Sequence, residues 1–173
     1  MFVLHFGILN RSGPGDAQMS SLFQSRLIGN NFGENPLEIA YGSVVSIKNT
    51  GRGGGLLHSH IQRFPGGSEQ QQVTCYSHKD NNNEFRIERA WGGALAEKDE
   101  VPQFIKSADM IRLVHVATKK NLHSHEYPAP VTEGENEVTC FGTEEMGDDG
   151  DHWYIERYDV PLNYIGHFWY CFR

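Results

Sequence analysis

Two identical His-Ser-His triplets are the residues of this sequence whose types and spacing most clearly suggest chemistry. One contains His58 and His60, and the other contains His123 and His125. Side chains at positions i and i+2 of a β-strand share one face, so each pair could chelate zinc or contact a ligand together. Zinc sites use three or four protein ligands, and no further histidine recurs with both pairs. We therefore predict no metal and retain two alternatives, a structural role and a role in ligand contact.

Acidic side chains are the other candidates for chemistry. Paired carboxylates occur in three Gly-rich loops, at residues 99–100, 144–145 and 148–149. General acid–base catalysis needs surroundings that shift a pKa, and these Gly-rich loops offer no apolar context of that kind. We predict that these carboxylates are solvated turn charges, and we assign no catalytic residue and no cofactor.

A hydrophilic loop at residues 79–83 contains Asp80 and Asn82. Carboxylate and amide groups pair well with sugar hydroxyls, which favours a contact with a glycan. The alternative is an ordinary turn, since Asn and Asp are typical turn residues.

The elements that must position these residues form an internal repeat. Leu57 and its triplet recur at Leu122, 65 residues later, and the Val-Thr-Cys sequence recurs with the same spacing. Residues at equivalent places in the two copies are predicted to share the core, namely Leu57 with Leu122, Val73 with Val138, and Cys75 with Cys140. For the two cysteines, buried thiols and a disulfide remain alternatives.

Short alternating runs bounded by Gly, Pro, Asn and Asp predict an all-β body. We predict strands over residues 43–48, 72–76, 84–88, 110–117, 137–141 and 152–157, besides the two triplet strands, and a short helix over residues 19–28. Two four-strand units in the same order predict a β-trefoil, in which three units share one core. A third triplet would fall beyond residue 173, so we expect the third lobe to be missing or incomplete, the barrel to be open, and the tail to lie loosely over the gap.

Composition restricts the class of protein. The 173 residues suit one domain, with boundaries predicted at 1–40, 41–105 (lobe 1), 106–160 (lobe 2) and 161–173. The net charge of −7 argues against binding to nucleic acid or to an anionic membrane, since both require a basic face. The longest apolar stretch, residues 1–9, is too short for a membrane span and lacks the features of a secretory signal.

Three motifs carry a resemblance to a known family. LLHSH at residues 56–60, QQQVTCY at 70–76 and HKDNNNEF at 78–85 resemble the MIR domain, a β-trefoil module. Residues 9–24 and 36–43 resemble the lumenal linker that precedes this domain in protein O-mannosyltransferases. The resemblance covers about residues 2–158.

The resemblance implies a context as well as a fold. Protein O-mannosyltransferases lie in the endoplasmic reticulum membrane and transfer mannose from dolichyl phosphate mannose to Ser or Thr of secretory proteins. Their catalytic acidic residues lie upstream of the region matched here, so the resemblance implies a lumenal region that is non-catalytic alone. It would bind a mannosyl glycan or a Ser/Thr-rich acceptor polypeptide, in an enzyme that pairs with a second mannosyltransferase subunit.

Two other classes remain as alternatives under the same resemblance. One is a soluble MIR protein of the endoplasmic reticulum that acts as a chaperone cofactor, and the other is a ligand-gating module of a calcium-release channel. The candidate ligand-binding residues under the leading hypothesis are His58, His60, His123, His125, Asp80 and Asn82.

Overall fold

The structure is a computed structural model that describes residues 4–12, 39–49, 54–93, 103–106, 108–130, 134–157 and 169–172. Its strands are β1 (Leu4–Ser12), β2 (Val44–Asn49), β3 (Leu56–Arg63), β4 (Gln71–Tyr76), β5 (Glu84–Arg89), β6 (Met110–His115), β7 (Lys120–Pro128), β8 (Asn136–Phe141), β9 (Trp153–Arg157) and β10 (Trp169–Phe172). Single 3₁₀ turns, η1 (Asn81–Asn83) and η2 (Asp149–Asp151), precede β5 and β9. Among these residues no helix has the length and apolar character that a membrane span requires.

The predicted all-β body is confirmed. Each strand predicted from the alternating pattern is present, with ends that differ by at most two residues. The largest difference is at β6, which ends at His115 because residues 116–119 turn back, with Lys119 at φ +59° and its N–H donating to the His115 carbonyl. The helix predicted over residues 19–28 lies outside the described residues.

Six strands form a closed antiparallel barrel, in the order β1, β2, β5, β6, β9, β10 and back to β1. Lobe 1 supplies β2 and β5, lobe 2 supplies β6 and β9, and the two ends of the chain supply β1 and β10. The expectation of an open barrel with a loose tail is therefore wrong. Backbone pairing explains the difference, because β10 bonds to β9 on one side and to β1 on the other, so no edge is left in the ring.

Two hairpins pack at one end of the barrel and carry the His-Ser-His triplets. The hairpin of lobe 1 is β3–β4, with Leu57 opposite Cys75, and the hairpin of lobe 2 is β7–β8, with Leu122 opposite Cys140. Each hairpin has a register shift, between Ser59 and Arg63 in lobe 1 and between Ser124 and Pro128 in lobe 2. The hairpins join where Gln71 of β4 pairs with Cys140 of β8. Within the described residues, the third lobe is represented only by its two barrel strands.

The core lies inside the barrel and beneath the hairpins. Leu57 and Leu122 are buried at equivalent places, and Trp153 and Phe85 are fully buried. They belong to one apolar cluster with Ile39, Val45, Ile47, Ile87, Ile111, Leu113, Cys140 and Ile155, against which Val73 and Val138 pack half-buried. Burial of each such leucine contributes about 1.5–3 kcal/mol to folding.

The two cysteines are not equivalent, although the repeat predicts that they are. Cys140 is fully buried, whereas Cys75 is exposed, and both thiols are free. Placing Cys75 in the core was therefore wrong. The order of strands in the sheet explains the difference. Cys140 on β8 lies opposite Gln71 of β4, so the lobe 1 hairpin covers it. Among the described strands, none from another lobe pairs with β4 at Cys75.

Candidate functional site

The first candidate site lies on the hairpin of lobe 1, and we call it the lobe 1 site. His58 is buried on β3, and its ring contacts the rings of Tyr76 on β4 and of His60, with centroids 4.8 and 5.3 Å away. Strand geometry explains this arrangement, because His58 and His60 share a face while Leu57 turns to the core. Tyr76 remains 41% exposed, so its ring is available to a ligand.

The turn η1 completes the lobe 1 site. Asp80 is its N-cap, and its carboxylate accepts the Asn82 N–H at 2.8 Å. The buried Asn83 side chain accepts the Asp80 N–H at 2.7 Å through Oδ1, and through Nδ2 it donates to the Leu57 carbonyl at 3.1 Å and faces His58 Nδ1 at 3.3 Å. A capping box thus fixes the turn against the histidine strand.

The second candidate site repeats this arrangement on the hairpin of lobe 2, and we call it the lobe 2 site. His123 is buried, with Phe141 and His125 at ring distances of 5.2 and 5.3 Å. Asp148 caps η2 as Asp80 caps η1, with the same capping box. Phe141 is 40% exposed, so both sites offer a partly exposed aromatic ring beside a buried histidine.

The sites differ in the group that contacts the buried histidine. In the lobe 2 site this group is the fully buried carboxylate of Asp151, with Oδ1 at 3.0 Å from His123 Nδ1. Its Oδ2 accepts the Asp148 N–H at 3.1 Å and the Trp91 indole N–H at 2.8 Å. In lobe 1 the Asn83 amide donates to the Leu57 carbonyl, but a carboxylate has no N–H to donate. The equivalent Leu122 carbonyl accepts its bond from the Trp153 indole N–H at 2.9 Å.

The outer histidines also have different surroundings. His125 Nε2 lies 3.1 Å from Oε2 of Glu137, which is buried and also accepts the Ser68 N–H from the lobe 1 hairpin at 3.3 Å. In lobe 1 the residue 65 positions before Glu137 is Gln72, an amide. His60 Nδ1 accepts the Gln62 N–H at 3.4 Å. At these two repeat-equivalent positions, lobe 2 has the buried carboxylates of Asp151 and Glu137, whereas lobe 1 has the amide residues Asn83 and Gln72.

The local electrostatics follow from these contacts. Desolvation lowers the pKa of His58, and the carboxylate of Asp80, with Oδ1 at 3.6 Å, opposes that shift. His123, Asp148 and Asp151 bring three donor atoms within 4.8 Å of one another. The two carboxylates already accept backbone and indole N–H groups of the fold, which accounts for their positions.

The structure brings most of the predicted ligand-binding residues together. His58, His60 and Asp80 meet in the lobe 1 site, and His123 and His125 meet in the lobe 2 site. Asn82 contributes through its backbone, with its N–H on Asp80 and its carbonyl on His115. The sequence analysis missed Asn83, Asp151, Tyr76 and Phe141. The repeat spacing could have identified them, because the turn residues recur after 68 residues and the aromatic residues after 65.

One acidic pair differs from its prediction. Glu144 was expected to be a solvated charge, but its carboxylate bonds to the Arg86 guanidinium and lies 3.8 Å from Lys119 Nζ. The Arg86 bond holds the pKa of Glu144 below its usual value. The pair at residues 99–100 lies outside the described residues.

Comparison with known proteins places this geometry in context. Residues 54–160 match the family model described as the MIR domain. The chain is 48% identical over 158 residues to dolichyl-phosphate-mannose–protein mannosyltransferase 3 of Saccharomyces cerevisiae, which covers 90% of this chain and 21% of the relative. It is 48% identical over 158 residues to protein O-mannosyl-transferase 2 of Drosophila melanogaster, which covers 89% and 20%. The chain thus spans about a fifth of these relatives.

Solved structures have the same fold. The SDF2-like protein of Arabidopsis thaliana has a TM-score of 0.62 and 35% identity, covering 72% of this chain and 66% of that chain. The Saccharomyces cerevisiae protein O-mannosyltransferase Pmt1-Pmt2 complex bound to the sugar donor has a TM-score of 0.63 and 33% identity, covering 84% of this chain and 20% of that chain.

Proposed function

Because this chain belongs to the MIR domain family, we propose that it is a non-catalytic binding module that recognises a mannosyl glycan or a Ser/Thr-rich acceptor polypeptide. The observation that carries the proposal is the twofold occurrence of one constellation, in which a partly exposed aromatic ring lies beside two histidines and a capping aspartate. An aromatic face packs against the apolar face of a sugar or a peptide side chain. Imidazole and carboxylate groups hydrogen-bond to hydroxyls.

The proposed context is the lumenal side of an endoplasmic reticulum mannosyltransferase that uses dolichyl phosphate mannose. Similarity over 90% of this chain to a dolichyl-phosphate-mannose–protein mannosyltransferase supports it. The likeness to a chain of the Pmt1-Pmt2 complex supports a second mannosyltransferase subunit as partner. In this view the rest of the enzyme transfers mannose and this region holds the acceptor or the product. The full chain incubated with dolichyl phosphate mannose and an acceptor peptide should then give no turnover above a blank without protein.

A second candidate is a soluble chaperone cofactor of the endoplasmic reticulum, favoured by the likeness to the SDF2-like protein. The transcript that flanks this reading frame separates the two candidates. Membrane spans on both sides favour the mannosyltransferase, and an upstream signal peptide without spans favours the soluble protein.

Binding is tested by NMR titration of the full chain with methyl α-mannoside, mannobiose and a Ser/Thr-rich peptide. We expect shifts at the lobe 1 and lobe 2 sites, and at least about tenfold weaker binding at the altered site in Tyr76→Ala and Phe141→Ala, about 1.4 kcal/mol. Tyr154→Ala is the matched control, because Tyr154 is 43% exposed on β9, outside both sites. Shifts that avoid both sites, or equal losses in the control, would contradict the proposal.

A further inference from the structure

The two sites contact their buried histidines with chemically different groups, and this difference determines which ring nitrogen carries the proton. A neutral imidazole has one N–H and one acceptor nitrogen. Its tautomer is therefore set by what the fold places against Nδ1. In both sites Nδ1 points at the 3₁₀ turn, and Nε2 has no hydrogen-bond partner among the described residues.

In the lobe 1 site the contacting group is an amide whose orientation is fixed. Asn83 Oδ1 must be the acceptor of the Asp80 N–H at 2.7 Å, and Nδ2 must be the donor to the Leu57 carbonyl at 3.1 Å. The second N–H of Nδ2 then meets His58 Nδ1 at 3.3 Å. Asp80 Oδ1 lies 3.6 Å from the same nitrogen, beyond hydrogen-bond distance, so the closer amide determines the tautomer. Nδ1 of His58 accepts, and the ring proton lies on Nε2.

In the lobe 2 site the contacting group can only accept. Both oxygens of the Asp151 carboxylate are acceptors, with Oδ2 bonded to the Asp148 and Trp91 N–H groups and Oδ1 at 3.0 Å from His123 Nδ1. The Leu122 carbonyl accepts its hydrogen bond from the Trp153 indole. Residue 151 therefore does not need an N–H for that carbonyl, as Asn83 does for the Leu57 carbonyl. His123 must place its N–H on Nδ1, which leaves Nε2 as an acceptor.

We infer that the two sites present opposite neutral tautomers of the same histidine, so that His58 offers Nε2–H as a donor and His123 offers Nε2 as an acceptor. Asn83 and Asp151 are the positioning residues that make this choice. For a ligand, the Nε2–H of His58 in the lobe 1 site can donate to any acceptor oxygen, including a carbonyl or a sugar ring oxygen. The lobe 2 site requires a hydroxyl or an N–H. Only this last step rests on the proposed function.

The test is long-range ¹H–¹⁵N correlation of the histidine rings in the full chain at pH 8. We expect the Nε2–H tautomer for His58 and the Nδ1–H tautomer for His123. Asp151→Asn should switch His123 to Nε2–H, because its amide can keep the Asp148 and Trp91 bonds through Oδ1 and turn Nδ2 to the ring. Asp149→Asn is the control, since it removes the same charge from an exposed side chain 3.6 Å from His152 and should change neither ring.

The inference is overturned if both rings share one tautomer, if His123 is doubly protonated at pH 8, or if Asp151→Asn leaves His123 unchanged. The wild-type spectrum decides the first two outcomes without any variant. If no mannoside or peptide binds either site, the proposed function fails, whereas the tautomers are still read from the rings.

Discussion

At the scale of single residues, equal positions in the repeat do not guarantee equal surroundings. Burial raises the pKa of the Cys140 thiol to about 12, which keeps it protonated at neutral pH. Cys75 is exposed, and although desolvation also raises its pKa, a reagent can reach it. We expect iodoacetamide at pH 8.5 to alkylate Cys75 and to spare Cys140 in the native protein, as measured by peptide mass mapping. A denatured sample is the control and should be labelled at both.

The two repeat leucines should contribute similarly to stability. Leu57 and Leu122 are 2% and 0% exposed, so truncation of either leaves a cavity in the common cluster. Leu57→Ala and Leu122→Ala should each lower the free energy of unfolding by about 2–5 kcal/mol, as measured by chemical denaturation. Ile61→Ala is the control, because Ile61 is 81% exposed on the same hairpin. Losses below about 0.5 kcal/mol for both leucines would mean that they lie outside the core.

The sequence was informative about these residues to an uneven degree. Strand alternation around each triplet was enough to predict that a leucine turns inward and two histidines share a face. The groups that contact the histidines were not predicted, because Asn83 and Asp151 belong to turns that follow their histidines by 25 and 28 residues. Only the fold brings each turn back to its hairpin.

At the scale of elements, His115 connects β6 to lobe 1. It is fully buried, with Nε2 3.2 Å from the Asn82 carbonyl and Nδ1 2.7 Å from Thr118 Oγ1, which also accepts the Gln71 amide at 2.9 Å. The ring therefore donates from Nε2 to η1 and accepts at Nδ1. The neutral ring therefore joins β6 to η1 directly, and to β4 through Thr118 and Gln71.

This connection predicts a pH dependence of stability. Desolvation lowers the pKa of His115, with His58 and His60 lowering it further and the Asn82 carbonyl and Asp80 opposing them. The unfolded chain then binds more protons below pH about 6.5, so the free energy of unfolding should fall as the pH drops from about 6.5 through the lowered folded-state pKa. Urea denaturation between pH 5 and 8 measures this slope.

A matched pair of variants assigns the slope to its residue. His115→Gln should be less stable at pH 8 and should flatten the dependence, leaving the part due to His58, whose pKa is also lowered. His78→Gln is the matched control, because it removes an exposed histidine side chain and leaves every contact of His115 in place. Equal slopes in wild type and His115→Gln would show that His115 does not titrate in this range.

At the scale of the whole molecule, the repeat predicted two lobes correctly but not how the barrel closes. A trefoil repeat is recognised by its hairpin motif, and residues 161–173 have none. The barrel strands, in contrast, are joined by backbone hydrogen bonds, and almost any apolar segment can form these. Register pairs such as Leu4 with Cys171 and Trp169 with Arg157 therefore had no sequence signature.

Closure of the ring predicts that the tail is protected together with the lobes. Backbone amides of β10 bond to both β9 and β1, so native-state hydrogen exchange should be slow across residues 169–172 and should share the cooperative unfolding of β6 and β9. Deleting residues 161–173 leaves β1 and β9 with one unpaired edge each, which exposes strands to association. The truncated chain should unfold at lower urea concentration and form oligomers in size-exclusion chromatography, whereas the full chain should elute as a monomer. Rapid exchange of the tail amides beside protected β9 amides, with a truncation that changes neither stability nor elution, would mean that the two lobes hold their core without it.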